Sequence, residues 1–416
     1  MKKTGTNIVA AVAVLILVLF LSGTVWAKED SGLGKREKVV LHKANKAMQN
    51  QDLQKARKIV RDFLKDSSGD VSGRLFLFLG YTWYQEEKSA RAREAYKRGL
   101  EHAPGNKELH RNYAVACYRT GKFEPAGKHF EQAYQLSKAQ EQGPDYKLLY
   151  RAGTAFYQDQ DYSTAKGVLQ RLLSEAENME SDWLKLLTRI HFNLKEWKEA
   201  EQIVNMLLDQ DPLNRDYWKM LSQCNIRQSD HAAAATNLEI AYCIQKPDDP
   251  SGWEQLSNLY MYLNAPVEAA KCLQRSFFGE VSAKEYEKLA EIYYKALRLD
   301  QALKYMDKAL DKEETEDRYL KKGNYLYENR DFAKAIDAFR RSADLSPDSG
   351  RAHLLKGFAA CEIDKWELAK RSFEKAGEFE DCSSSARSGL AFVTDILKAK
   401  RATTDETSLV AARSGN

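Results

Sequence analysis

The chain has 416 residues, of which 43% are hydrophobic and 30% are charged, and it contains 22 glycines and only 8 prolines. This composition excludes disordered, collagen-like and disulfide-scaffold proteins, and the scarcity of helix breakers favours helix. Lysine and arginine number 64 against 60 aspartate and glutamate residues. Such a balance argues against a general nucleic-acid-binding protein, because binding to phosphates needs a basic surface.

The first 27 residues have the pattern of a secretory signal peptide. A positive start at Met1–Lys3 precedes an apolar run from Ile8 to Leu21, and Val25 and Ala27 supply small residues at the positions that signal peptidase reads. The run is short for a bilayer span, although the apolar stretch to residue 26 is nearly long enough for an uncleaved anchor. The sequence therefore predicts a periplasmic protein or, as the alternative, one anchored in the inner membrane and facing the periplasm.

Residues 28–37 are predicted to be a linker, and a repeat with a period near 34 residues begins at residue 38. Gly323 and Gly357 are each followed by an alanine twelve residues later and by a phenylalanine sixteen residues later. A small residue recurs in this way along the whole array, at Ala44, Gly80, Ala114, Gly153, Thr188, Ser222, Ser257, Ala290, Gly323 and Gly357.

This spacing of small and bulky residues resembles the tetratricopeptide repeat (TPR). Small residues let two antiparallel helices approach closely, and bulky residues fill the space between neighbouring repeats. The resemblance implies an all-α, right-handed superhelical solenoid of about ten helix–turn–helix repeats over residues 38–383, with a longer connection at 137–145. Helical periodicity in residues 384–400 predicts a capping helix, and residues 401–416 are predicted to be disordered.

No catalytic or cofactor motif is found in the sequence. It lacks glycine-rich nucleotide loops, a His-Glu-x-x-His metal motif and a Gly-x-Ser-x-Gly elbow. The seven histidines are scattered, and the near-paired carboxylates at 159 and 161 and at 209 and 211 fit turns and helix caps. The six cysteines form no Cys-x-x-Cys pair and are predicted to be mainly buried hydrophobic residues. We therefore predict no enzyme activity, metal, cofactor or small-molecule substrate.

In the TPR family the concave groove is lined mainly by residues of each first helix. One such position, the twelfth of the repeat, is aromatic or apolar in seven repeats: Tyr84, Tyr118, Tyr157, Phe192, Met261, Tyr294 and Tyr327. These side chains are either a partner-binding stripe or simply core between repeats. Beside them, charged residues change from basic in repeats three to six to acidic in repeats seven and eight; they are Arg111, Arg119, Lys185, Arg189, Lys219 and Arg227, then Glu254, Glu287 and Glu291.

The hypothetical partner-binding groove combines the tyrosines and Phe192 with Arg119, Arg189 and Arg227. Ordinary solvated charge is the alternative explanation for the arginines. A groove of this kind could orient an extended or helical peptide by charge complementarity.

A narrower resemblance lies in residues 216–222, 241–245, 256–273 and 350–376. These segments are similar to the exported TPR component encoded with bacterial TonB systems. The resemblance implies a periplasmic interaction scaffold that works with TonB, ExbB and ExbD, with peripheral membrane association left open. The alternatives are an adaptor of another envelope complex, in polysaccharide export or outer-membrane assembly, and, more remotely, a cell-wall glycan-processing enzyme.

Overall fold

The computed structural model describes residues 33–67, 71–140, 143–247 and 250–413, with side chains described as far as Arg401. The predicted signal peptide lies outside these residues. In the described part of the chain there are 21 α-helices and no strand, so the predicted all-α solenoid of helical hairpins is confirmed. The helices form two compact units that divide between Gln210 and Asp211.

Unit 1 contains five hairpins in which consecutive helices pack against each other. We call the odd-numbered helices first helices and the even-numbered ones second helices. They are α1 Lys35–Gln49, α2 Leu53–Asp66, α3 Gly73–Gln85, α4 Ser89–His102, α5 Lys107–Arg119, α6 Phe123–Lys138, α7 Tyr146–Gln158, α8 Tyr162–Glu175, α9 Ser181–Leu194 and α10 Trp197–Gln210.

Unit 2 contains five further hairpins and one additional helix that packs against the last hairpin. The helices are α11 Arg215–Arg227, α12 His231–Ile244, α13 Pro250–Tyr262, α14 Pro266–Arg275, α15 Ala283–Lys295, α16 Leu299–Lys312, α17 Glu316–Glu328, α18 Phe332–Leu345, α19 Gly350–Cys361, α20 Trp366–Ala376 and α21 Ser383–Arg413.

Small residues bring the two helices of a hairpin into close contact, as the repeat pattern predicts. A Cβ atom added at Gly357 would lie 2.5 Å from Cε1 of Phe373, and one at Gly153 would lie 2.8 Å from Cδ2 of Leu169. Where the repeat has serine instead, the hydroxyl bonds across the same contact: Ser222 Oγ donates to the Ala234 carbonyl at 2.8 Å. The recurring position therefore requires either glycine, which has no side chain, or a small side chain that can hydrogen-bond to the backbone of the facing helix.

Every hairpin turn ends its first helix in the same way. One residue adopts a left-handed conformation with φ between 56° and 69°, and the next amide donates to the carbonyl five residues earlier at 2.8–3.0 Å. This is the Schellman arrangement, which satisfies helix-end carbonyls. The ten left-handed residues are Gln51, Glu87, Gly121, Gln160, Lys195, Ser229, Asn264, Leu297, Arg330 and Asp364.

The two ends of the helical array differ from the predicted boundaries. The first described helix begins at Lys35, inside the predicted linker. The last helix continues to Arg413, whereas the sequence predicts a capping helix that ends at 400 and a disordered segment from 401 onward. No glycine or proline occurs between 390 and 413 to stop the helix. Ala386 and Val393 of α21 are buried, as residues on its packed face.

Two further features limit the chemistry of the fold. All six cysteines are free thiols, and Cys243 is exposed although its periodicity predicts burial. Within the described residues no helix is both long and apolar enough to cross a bilayer.

Candidate functional site

The six aromatic residues of the proposed stripe all lie in the last turn of a first helix, and all are half-buried. Tyr84, Tyr118, Tyr157 and Phe192 belong to unit 1, and Tyr294 and Tyr327 belong to unit 2. Half-burial means that part of each ring packs inside its unit and part remains accessible. Both interpretations of the stripe, as core and as surface, therefore apply to different atoms of the same side chains.

The buried part of the stripe packs against a second aromatic row. In four hairpins the ring contacts the aromatic residue five positions later, which is the first residue of the second helix. The centroid distances are 5.2 Å for Tyr118–Phe123, 5.5 Å for Tyr157–Tyr162, 5.4 Å for Phe192–Trp197 and 5.2 Å for Tyr327–Phe332. The sequence analysis missed this partner row, although an aromatic pair separated by five residues across a turn is visible in the sequence.

Tyr84 and Arg119, both predicted as groove residues, lie together in unit 1. The guanidinium carbon of Arg119 is 4.4 Å from the centre of the Tyr84 ring, within cation–π range. The Tyr84 hydroxyl oxygen is buried and has no hydrogen-bond partner among the described residues. Burial raises the pKa of Tyr84, and the positive charges of Arg119 and Arg151 oppose that rise. A buried phenol without a partner is a group that an incoming acceptor could satisfy once the side chains that cover it move aside.

Arg151 of α7 is a member of this surface that the sequence analysis missed. Its side chain is half-buried, and burial together with the nearby charge of Arg111 lowers its pKa. Among the described carboxylates, none lies within ion-pair distance of Arg119 or Arg151. We call Tyr84, Arg111, Arg119 and Arg151 the arginine–tyrosine surface.

The other two predicted arginines, Arg189 and Arg227, are both exposed. Arg189 is exposed on α9, where its charge lowers the pKa of Tyr150, against the larger effect of burial. Arg227 is exposed at the end of α11 and belongs to unit 2. Their part in partner binding stays a prediction.

In unit 2 the tyrosine hydroxyls of the stripe donate hydrogen bonds to carboxylates of the same unit. The Tyr294 hydroxyl donates to Glu328 of the next first helix, and Tyr327 donates to Glu362 at 3.0 Å. The hydrogen bond to Glu328, with burial, raises the pKa of Tyr294 to about 12. These tyrosines therefore link successive hairpins.

Two of the three acidic residues predicted to line the groove in unit 2, Glu287 and Glu291, are likewise paired within the fold. Glu287 pairs with Arg318 at 2.9 Å and with Lys321 at 2.5 Å, and Glu291 pairs with Lys321 at 2.8 Å. The cations come from the following first helix, α17, which the sequence periodicity alone does not place opposite these carboxylates. Their charge is largely compensated, so the expected change from a basic to an acidic groove overstates the negative charge that unit 2 offers a partner.

Among the described residues, no group of three or more His, Cys, Asp or Glu side chains is arranged to hold a metal ion.

Comparison with known proteins identifies the repeat. Models of the tetratricopeptide repeat match residues 83–144, 156–224 and 320–376. These three segments have the sequence pattern of tetratricopeptide repeats. Stress-induced-phosphoprotein 1 of Caenorhabditis elegans is 29% identical over 149 residues, which are 34% of this chain and 44% of that protein. The match thus spans less than half of the relative's length.

Similar solved structures are also TPR proteins. A tetratricopeptide repeat protein from Parabacteroides merdae is 15% identical and has a TM-score of 0.37, over 64% of this chain and 100% of that chain. YrrB, described as a TPR protein with an unusual peptide-binding site, is 15% identical with a TM-score of 0.36, over 50% and 99% of the two chains.

Proposed function

We propose that this protein is a protein–protein interaction scaffold and that the arginine–tyrosine surface of unit 1 binds a segment of its partner. The observation that carries the proposal is the buried Tyr84 hydroxyl without a partner, beside Arg119 at 4.4 Å and near the unpaired Arg151. Tetratricopeptide repeats suit this role because packed hairpins hold side chains on a rigid surface.

The binding mechanism follows from these groups. An acceptor oxygen of the partner would satisfy the Tyr84 hydroxyl, and carboxylates of the partner would pair with Arg119 and Arg151 through charge-assisted hydrogen bonds. The accessible edges of Tyr118 and Tyr157 would add apolar contact on the same row. Because α3, α5 and α7 already fix these side chains, the surface loses little conformational entropy on binding.

We further propose a periplasmic location and an accessory role in a TonB–ExbB–ExbD transport system. The charged start, apolar run and small residues of the first 27 positions support export. The similarity of residues 216–222, 241–245, 256–273 and 350–376 to the exported TPR component of TonB systems supports the assignment to that system.

The test uses in-cell crosslinking of the tagged full-length protein followed by mass spectrometry. We expect TonB, ExbB or ExbD among the captured proteins, with capture reduced by Arg119→Gln combined with Arg151→Gln. Arg330→Gln, an exposed arginine in a turn of unit 2, is the matched control and should leave capture unchanged. Capture of a different envelope complex would support the proposed role as an interaction scaffold but would reject the assignment to a TonB system.

Tyr84→Phe tests the surface itself. Removing a buried hydroxyl without a partner should leave stability unchanged or raise it, whereas loss of an intermolecular hydrogen bond should weaken partner binding about 5- to 10-fold. Binding that is unchanged in Tyr84→Phe and in the double arginine variant would reject this surface as the binding site.

A further inference from the structure

Two histidine rings are hydrogen-bonded to each other in the third hairpin. His110 of α5 and His129 of α6 face each other with 2.8 Å between their Nδ1 atoms. The other ring nitrogen of His110, Nε2, lies 2.8 Å from the carbonyl oxygen of Pro104, in the connection between α4 and α5. His110 is only 8% exposed. The pair thus joins α6, through α5, to the connection that precedes the hairpin.

The geometry fixes where the protons are. A carbonyl oxygen can only accept, so His110 Nε2 carries a hydrogen and donates it to Pro104. In a neutral His110 ring the remaining nitrogen, Nδ1, is then an acceptor. His129 must therefore donate from its own Nδ1. The neutral pair has one defined tautomer for each ring.

Protonation works against this arrangement. When both rings carry a positive charge, each Nδ1 bears a hydrogen, so two N–H donors face each other 2.8 Å apart and the hydrogen bond between the rings breaks. A proton on His129 Nε2 keeps that hydrogen bond but leaves a charged imidazolium in a half-buried position. Burial, assisted by His110, lowers the pKa of His129 to about 4.

The neighbouring groups offer little compensation for such a charge. The rings of Tyr113 and His129 are nearly perpendicular, with 4.6 Å between their centroids. Burial and the neighbouring Cys117 thiol raise the pKa of Tyr113, and the charges that act on it, Arg93 and Glu94 of α4, oppose each other. From α7, the residue beside this part of α6 is Phe156, whose ring lies against Gly127. In the described residues, no carboxylate pairs with either histidine.

We propose that His110 and His129 form an acid-sensitive latch that holds the third hairpin closed when both rings are neutral and loosens it when they take up protons. The latch goes beyond the binding role proposed above and does not depend on it. Because the folded pKa of His129 lies below the unfolded value, the latch contributes stability above about pH 6.5, and this contribution is lost as the pH falls from 6.5 towards 4.

The first test needs no substitution. Nitrogen NMR of the histidine side chains in the full-length protein at pH 7.5 reports the tautomer of each ring. We expect His110 to carry its proton on Nε2 and His129 to carry its proton on Nδ1. If both rings are protonated on Nε2 only, or if His129 titrates near pH 6.5, the latch is rejected.

The second test is amide hydrogen exchange at pH 7.5 and pH 5, corrected for intrinsic exchange. Opening of residues 104–134 should increase roughly 10- to 50-fold at the lower pH, relative to peptides of unit 2. His129→Phe keeps a ring against Tyr113 and should abolish this pH dependence, whereas His42→Gln, at an exposed histidine of α1, should not. The same pH dependence in His129→Phe and in the unmodified protein would overturn the proposal.

Discussion

The guanidinium carbon of Arg57 lies 3.9 Å from the centre of the Trp83 ring. The same guanidinium donates to the Thr82 carbonyl at 3.1 Å and to the Glu86 carboxylate at 2.5 Å. Arg57 is 2% exposed, so the second helix of the first hairpin inserts a cation against the first helix of the next. This contact ties two hairpins together by charge, hydrogen bonds and packing at once.

Arg57→Ala is expected to lower the free energy of unfolding of this region by about 2–4 kcal/mol, because it removes a buried, hydrogen-bonded partner. Hydrogen exchange of α2–α4 measures the effect. Arg61→Ala is the matched control: Arg61 lies one helical turn away, is exposed, and is 6.0 Å from the same ring. Equal losses in the two variants would contradict a special role for Arg57.

Leu297 occupies a left-handed turn position with φ at 56° and is 82% exposed. Leu297→Gly should raise the melting temperature of unit 2, because the strain of about 1 kcal/mol on a non-glycine residue is relieved. The converse change, Gly121→Ala, should destabilise unit 1 by a similar amount, since φ is 69° there and no atom lies within 4 Å of an added Cβ. Calorimetry measures the melting temperatures of both variants. A lower melting temperature in Leu297→Gly would show that the leucine side chain makes a stabilising contact that outweighs the backbone strain.

Gly357→Ala is expected to destabilise unit 2 by about 1–3 kcal/mol. The added methyl group would overlap the ring of Phe373, which is 1% exposed and cannot move aside without disturbing the core. Gly167→Ala is the control, because nothing lies within 4 Å of its Cβ position in α8, and it should be stabilising by about 1 kcal/mol. Thermal unfolding of both variants measures the contrast, and two changes of the same sign would refute the packing argument.

Glu196 couples the fold to pH through two neighbours. Its carboxylate lies 2.6 Å from Lys166 Nζ and 2.7 Å from His191 Nδ1, and the hydrogen bond from Lys166 holds the pKa of Glu196 below its usual value. A carboxyl group with a lowered pKa stabilises the fold above the unfolded pKa, and this contribution disappears as the pH falls through the folded value.

Glu196→Gln should therefore flatten the decline in melting temperature of the protein below about pH 4.5. Glu199→Gln, at an exposed position in the first turn of α10, which begins directly after Glu196, should leave the decline unchanged. Melting curves from pH 6 to pH 3 make the comparison. An unaltered decline in Glu196→Gln would mean that the ion pair with Lys166 contributes nothing to folding.

The repeat period and the small residues were enough to predict the hairpins, because close helix packing at Gly153 or Gly357 requires a small residue at a fixed position of each repeat. The pairing of Glu287 with Arg318 could not be predicted in the same way. It depends on which faces of α15 and α17 meet. Periodicity predicts the buried face of each helix, but it does not predict how one helix is rotated about its axis relative to the next.

The candidate site was predicted in part for the same reason. Register identified Tyr84 and Arg119, which occupy adjacent positions of the repeat, the twelfth and the thirteenth, in successive first helices. Arg151 has no consensus meaning, and only its burial in the folded unit and the missing partner of the Tyr84 hydroxyl draw attention to it. The His110–His129 contact was also invisible, since it depends on side-chain rotamers across a hairpin.

The ten equivalent turns have a consequence for how length can vary along the chain. The geometry of each turn is fixed by a backbone hydrogen bond from an amide to the carbonyl five residues earlier. Residues as different as Glu87, Ser229 and Leu297 therefore occupy the left-handed position of the turn. One residue added or removed there would put the two helices of a hairpin out of phase and misalign every contact between them. Among the described residues, the connections between hairpins carry no such hydrogen bond; they range from the three residues 313–315 to the seven residues 276–282. The hairpin is therefore a unit of fixed length in this chain. Insertions and deletions can be accommodated in the connections between hairpins.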